Sequence, residues 1–156
     1  MYVGLIIVFN EFENDGLKSN FISSFNELKD VKICLVCNNS SDQVFEILSE
    51  IAHQNENTTV VNNKRKKSNT ASIKAGARYL YSRNNLKYVG YIVGLNASEI
   101  LKELEDFIKN YQPILEFNQQ EIANKKVRQT YYQSLFSVSA SIEKINSETI
   151  FTTRRY

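Results

Sequence analysis

The chain has 156 residues and a net charge of +2, from nineteen Lys+Arg and seventeen Asp+Glu. At ~100–200 residues per domain this length makes a single domain over 1–156. A content of 42% hydrophobic and 23% charged residues excludes a disordered or fibrous chain. No apolar run approaches the ~18 residues of a membrane span, and the charge balance gives no global basic footprint, so neither a membrane span nor a nucleic-acid partner is expected. The inventory of reactive side chains is narrow: one His, two Cys, and four Asp (Asp15, Asp30, Asp42, Asp106) against eighteen Asn, with five Gly and one Pro.

Val3 to Phe9 is an almost unbroken apolar run with β-branched residues, the pattern of a strand buried on both faces. Leu17, Phe21, Ile22, Phe25 and Leu28 follow at helical spacing after an Asp15-Gly16 turn. Val31 to Cys37 reads as a second buried strand. Ser41 and Asp42 form an N-cap region before the helical stripe Val44, Ile47, Leu48, Ile51. Thr58 to Val61 is a short third strand. Ser68 or Asn69 caps the next helix, which carries Ile73, Ala77 and Leu80. Tyr88 to Leu95 is a fourth apolar strand, and Ser98 is the expected cap of a helix bearing Ile100, Leu101, Leu104, Phe107, Ile108 and Tyr111. Pro113 is expected to end that helix and open a strand over Ile114 to Phe117. Asn118 to Thr130 reads as a polar helix, Tyr131 to Ile145 carries scattered apolar residues, and Glu148 to Thr153 reads as a last strand. Strand and helix thus alternate four times within 1–117. That order predicts a three-layer α/β/α sandwich with a mostly parallel sheet.

Cys34 and Cys37 have redox or zinc spacing. On a strand, however, residues three apart point to opposite faces. The sulfurs then diverge, and no second Cys pair completes a zinc set. Two buried thiols are expected, and His53 is expected on the surface. Free thiols and the lack of a secretory leader pattern predict a reducing, cytoplasmic setting.

Ligands of open parallel sheets bind at the carboxyl ends of the strands. The loops there contain Asn10-Glu11, Asn38 to Asp42, Asn62 to Ser68, and Asn96 to Ser98. Lys64 to Lys67 is a basic run beside a predicted helix start, where cations and backbone N–H groups both attract an anion. It lacks the glycines of a P-loop.

In order and spacing these pieces resemble the nucleotide-sugar-binding half of a family-2 glycosyltransferase of GT-A fold, in the polyprenyl-phosphate (dolichol-phosphate-mannose-synthase-like) branch. Ile6-Ile-Val-Phe-Asn10-Glu11 is similar to the opening strand that ends in a hydrophobic-Tyr-Asn-Glu turn. Leu35-Val-Cys-Asn38-Asn-Ser-Ser-Asp42 is similar to the strand ending in Asp-Asp-Gly-Ser-x-Asp. Lys67 to Gly76, followed by Tyr88-Val-Gly-Tyr-Ile92, is similar to the Gly-Lys-x-x-Ala-x-x-x-Gly helix and the Tyr-Ile-Gly-Tyr strand. The resemblance covers residues 3–110. It implies a nucleotide or nucleotide-sugar ligand, with Asn10 and Glu11 beside the nucleotide, Asn38 and Asp42 near base or ribose, and Lys66 and Lys67 near the diphosphate. Residues 1–117 would be the donor half and 118–156 a short remnant of the acceptor half.

The departures fall on the chemistry. Val93-Gly94-Leu95 stands where the family carries Asp-x-Asp, whose carboxylates hold a divalent metal on the diphosphate. Cys37-Asn38 replaces an acidic pair, and Ser68 replaces a Gly. No counterpart of the catalytic base is apparent among Glu116, Glu121, Glu143 and Glu148. The expectation is a degenerate, non-catalytic member without a metal cofactor or catalytic residues, acting with a ligand or as the partner of an active glycosyltransferase. The alternatives are an active metal-independent transferase and an unrelated α/β ligand- or protein-binding module. The short C-terminal part predicts an under-covered sheet face and a homodimer.

Overall fold

The structure, a computed structural model, describes residues 3–13, 15–39, 41–124 and 134–154, with the backbone alone for Asp15 and for 148–154. Five strands form one sheet: β1 (Val3–Phe9), β2 (Val31–Cys37), β3 (Thr58–Asn62), β4 (Tyr88–Val93) and β5 (Leu135–Ser137). Their order is β3-β2-β1-β4-β5, and every pairing is parallel. Six helices flank them: α1 (Lys18–Glu27), α2 (Asp42–His53), α3 (Asn69–Arg83), α4 (Ala97–Lys109), α5 (Tyr111–Ala123) and α6 (Val138–Arg154). This is the expected α/β/α sandwich. No helix among the described residues is long and apolar enough to cross a membrane.

Alternation along each central strand divides the core in two. Leu5, Ile7 and Phe9 of β1, Ile33, Leu35 and Cys37 of β2, and Ile92 of β4 pack with α1, α2, α4, α5 and α6. Ile6 and Val8, Cys34 and Val36, and Val89 face α3. Both faces of the central strands are therefore dry, which is why their sequences are continuous apolar runs rather than alternating ones. Gly76 lets α3 lie close to the sheet, since a Cβ there would stand 2.7 Å from Ile6 Cγ2 and 3.1 Å from Val36 Cγ2. With α3 the helix packed against this second face, Tyr91, Val93 and Leu135 are only partly buried.

The cysteines lie as strand geometry requires. Both are free and buried, and they belong to opposite faces. Burial raises the Cys34 thiol to about 12, and it also raises that of Cys37. His53, at the end of α2, is exposed. Phe21, Phe25 and Phe107 are fully buried, and Phe45 packs against the same core.

Three expectations fail. Pro113 does not end a helix, because it is the third residue of α5, and Ile114 to Phe117 are helical rather than a strand. Backbone N–H groups in the first turn have no intrahelical acceptor, so the one proline lacks is not missed there. The break falls at Asn110, which ends α4 and begins α5. The cap of α4 is Asn96, whose Oδ1 accepts from the Glu99 N–H at 2.9 Å, rather than Ser98. Glu148 to Thr153 continue α6 instead of forming a strand, and the fifth strand is Leu135–Ser137. Of the polar helix expected over 118–130, Asn118 to Ala123 are helical as the end of α5. Residues 125–130, Tyr131, Tyr132 and Tyr156 lie outside the described residues.

Candidate functional site

At its carboxyl edge the sheet ends in a row of asparagines. Phe9, Cys37 and Asn62 are in register across β1, β2 and β3. The ladder continues one step further, with Asn38 N–H donating to Phe9 O at 2.9 Å and Asn63 N–H donating to Cys37 O at 3.0 Å. Asn10, Asn38 and Asn63 therefore stand side by side, one residue beyond the last apolar row.

Their side chains bond to one another. Asn38 Nδ2 donates to Asn10 Oδ1 and to the Lys67 carbonyl, both at 2.8 Å. Asn38 Oδ1 accepts from the Lys67 N–H at 2.8 Å and from Asn63 Nδ2 at 3.1 Å. A primary amide has two N–H donors and two acceptor lone pairs, so Asn38 is saturated from within the chain, and it is fully buried. Asn63, 4% exposed, also donates to Ser72 Oγ on α3 at 3.0 Å. Asn10 reaches the first residue of α3 by donating from Nδ2 to Asn69 Oδ1 at 3.1 Å, and its carbonyl accepts from Asn39 Nδ2. A lattice of neutral amides thus closes the space between the ends of β1, β2, β3 and the start of α3.

The lattice fixes the basic loop at both ends. Asn63 and the backbone of Lys67 share one acceptor, Asn38 Oδ1. Ser68 then caps α3 by accepting from the Ala71 N–H at 3.1 Å. Lys64, Arg65, Lys66 and Lys67 are all exposed.

The strand order reverses between β1 and β4, and the crevice beside their carboxyl ends is where ligands of such sheets normally sit. Phe12 holds the loop after β1 down, with its ring centroid 5.8 Å from Phe9 and 5.6 Å from Phe21. That anchoring brings Glu13 to the start of α4, where Oε2 accepts from the Ala97 N–H at 3.2 Å. Glu99 Oε2 accepts from the Leu95 N–H at 2.9 Å. Both carboxylates sit where the free N–H groups and dipole of a helix start would attract an anion.

The residues at the end of β4 and just beyond it do not fit a divalent cation. Val93 packs with the α3-side core, Gly94 lies against Ile100, and Leu95 is 79% exposed. None offers the side-chain oxygen that a hard cation requires. Among the described residues no group of three or more His, Cys, Asp or Glu converges on one point.

Of the residues singled out from sequence, Asn10, Asn38 and Lys67 are brought together, Lys67 through its backbone. Glu11, Asp42 and Lys66 are exposed, and among the described residues no hydrogen bond ties them to the lattice. Asp42 is the first residue of α2. Glu116, Glu121 and Glu143 are exposed on α5 and α6, while the Glu148 side chain lies outside the described residues. The sequence does not single out Glu13 or Ser72, and it places Asn63, Asn69 and Asn96 in these loops or at a helix start without joining them to the other asparagines. The available signal was an asparagine directly after each apolar strand run, which parallel register turns into neighbours. Comparison with protein-family models and with curated proteins returns no match.

Proposed function

We propose that this chain is a non-catalytic, glycosyltransferase-like α/β module, in which the edge that would hold a nucleotide-sugar is closed by its own asparagines. The observation that carries the reading is the saturation of Asn38. The residue aligned with a nucleoside-contacting acid has all four hydrogen-bonding positions occupied inside the chain. A nucleoside would have to displace these partners from the buried Asn38 amide, and a buried polar group left unpaired is costly. The order of the three sequence motifs and the strand order β3-β2-β1-β4 support the scaffold part of the reading. The side chains of Val93 and Leu95 support the loss of metal-assisted transfer, because they remove the means of neutralising a departing diphosphate.

On this reading the module works through contacts with protein. The partly buried face at Tyr91, Val93 and Leu135 supports self-association or pairing with an active transferase. The test is calorimetric titration with UDP, GDP and their sugars, with and without Mn²⁺ or Mg²⁺, run beside a sugar-transfer assay. No saturable heat and no turnover are expected. Metal-dependent binding in the micromolar range, or any enzyme-dependent transfer, overturns the proposal.

A further inference from the structure

Three cations from two chain segments line one cleft at the amino edge of the sheet, opposite the amide lattice. Lys29 lies in the turn before β2, Lys32 is the second residue of β2, and Arg83 is the last residue of α3. With Asp30, Asn57 and Asn84 they line a cleft of about 560 Å³. A second cleft of about 570 Å³ adjoins it, sharing Lys29 and Asn57.

The cationic heads are held in place. Lys32 is half-buried, and its Nζ donates to Asn57 Oδ1 at 2.9 Å. Asn57 is itself fixed, donating from Nδ2 to the Lys29 carbonyl and from its backbone N–H to Asn55 Oδ1. An ammonium has three donors, so Lys32 keeps two for a ligand. The Arg83 guanidinium lies 3.9 Å over the Tyr79 ring, and Nη1 donates to Ser82 Oγ at 3.1 Å. Its plane is set while the rest of the fork stays free.

Among the described residues Asp30 is the one acid that lines this cleft. Among the described residues no carboxylate lies within 4.0 Å of Lys29, Lys32 or Arg83. The carbonyl end of α3 offers limited compensation, because Leu80 O already accepts from both the N–H and the Nδ2 of Asn84. Cations gathered along one cleft draw an anionic ligand to it.

We propose that this amino-edge cleft binds a small molecule bearing a dianionic phosphate group, held by Lys32, Arg83 and Lys29. A guanidinium fork takes two phosphate oxygens and an ammonium takes a third as a point charge. The volume exceeds that of a bare phosphate and falls in the ~300–1,000 Å³ range of small-molecule sites. The adjoining cleft gives room for an organic remainder. The inference is independent of the reading of the carboxyl edge.

The test is ³¹P NMR titration of the full chain at low salt, using inorganic phosphate and glucose 6-phosphate as probes and glucose as the uncharged control by calorimetry. Saturable binding of a phosphate probe but not of glucose is expected. Tighter binding of glucose 6-phosphate would identify an organic phosphate, and equal affinity would identify the free ion; both fit the proposal. Lys32→Gln and Arg83→Gln should each weaken binding about tenfold or more, the loss of one charge-assisted contact, and Lys66→Gln should leave it unchanged. Arg83 is exposed, so its variant keeps the test valid if Lys32→Gln fails to fold. No saturable binding by either probe overturns the proposal. So does binding that survives in Arg83→Gln, or that Lys66→Gln removes.

Discussion

Replacing Asn38 with Asp tests the amide lattice directly, because it installs the acid that the resembling family carries while changing few atoms. The carboxylate can still accept from the Lys67 N–H and from Asn63 Nδ2. It cannot donate. Two contacts of 2.8 Å, to Asn10 Oδ1 and to the Lys67 carbonyl, become oxygen facing oxygen. Each acceptor left unpaired costs about 1–3 kcal/mol when buried, and because Asn10 is half-buried and Lys67 exposed the loss lies toward the low end of a combined ~2–6 kcal/mol. Native domains have only ~5–15 kcal/mol of stability in all. For a chain of this length, ~2–4 °C of Tm per kcal/mol puts a 3 kcal/mol loss at a fall of about 6–12 °C. The new carboxyl is buried among acceptors, which raises its folded pKa above the unfolded value. Its protonated form regains one donor, so part of the lost stability returns as pH falls from 7.5 to 5. The assay is urea unfolding of wild type and Asn38→Asp at both pH values. A change below about 0.5 kcal/mol, the scale of ordinary surface substitutions, with no pH dependence, would refute the reasoning.

Burial raises the Glu103 carboxyl to about 7, with Asp106 and Glu99 adding to the rise and Ser139 opposing it. A folded pKa above the unfolded one means stability is greatest below the unfolded value of 4.5 and falls as pH rises to about 7; unfolding of Glu103→Gln across this window should show a flatter profile. Neither thiol should react with a disulfide reagent at pH 8 in the native state, and both should react in 6 M guanidinium, measured by absorbance. Gly76→Ala should destabilise by about 1–3 kcal/mol in urea unfolding despite its better helix propensity, because its Cβ meets Ile6 and Val36 on the sheet. Asn96→Ala should cost ~1 kcal/mol through loss of the α4 cap, while Ser98→Ala should be near neutral.

The central sheet was legible because burial on both faces leaves its mark in the sequence. β1, β4 and, beyond Lys32, β2 are continuous apolar runs, and α4 carries a clean stripe. The face of each cysteine followed from strand geometry alone. The C-terminal part was not legible for equally local reasons. A proline in a first turn looks like a break if the helix start is misplaced by a few residues, which moved the boundary from Asn110 to Pro113. Asn96 and Ser98 are both good caps, and the choice depends on where the backbone leaves β4. β5 is three residues long and holds its place through pairing with β4, a partner more than 40 residues earlier.

The loops that form the candidate site were found because α/β sheets present ligands at their carboxyl edge. What those loops do there was not readable. Asn38 looked like a residue available to a base, yet its partners are 25 to 29 residues away and become neighbours only through the register of three strands. The cation cleft was invisible for a similar reason, since Arg83 lies far along the chain from Lys29 and Lys32 and comes beside them only through the packing of α3 on the sheet.

The side-chain amide signals of Asn38 and Asn63 report most directly on whether the carboxyl edge of the sheet is closed. In ¹⁵N-resolved spectra their protons should exchange slowly with solvent. Their shifts should stay fixed as UDP- and GDP-sugars are added to millimolar concentration with Mg²⁺. Saturable movement of the Asn38 amide, together with fast exchange in the free protein, would mean that the lattice opens to a nucleotide and would contradict the account.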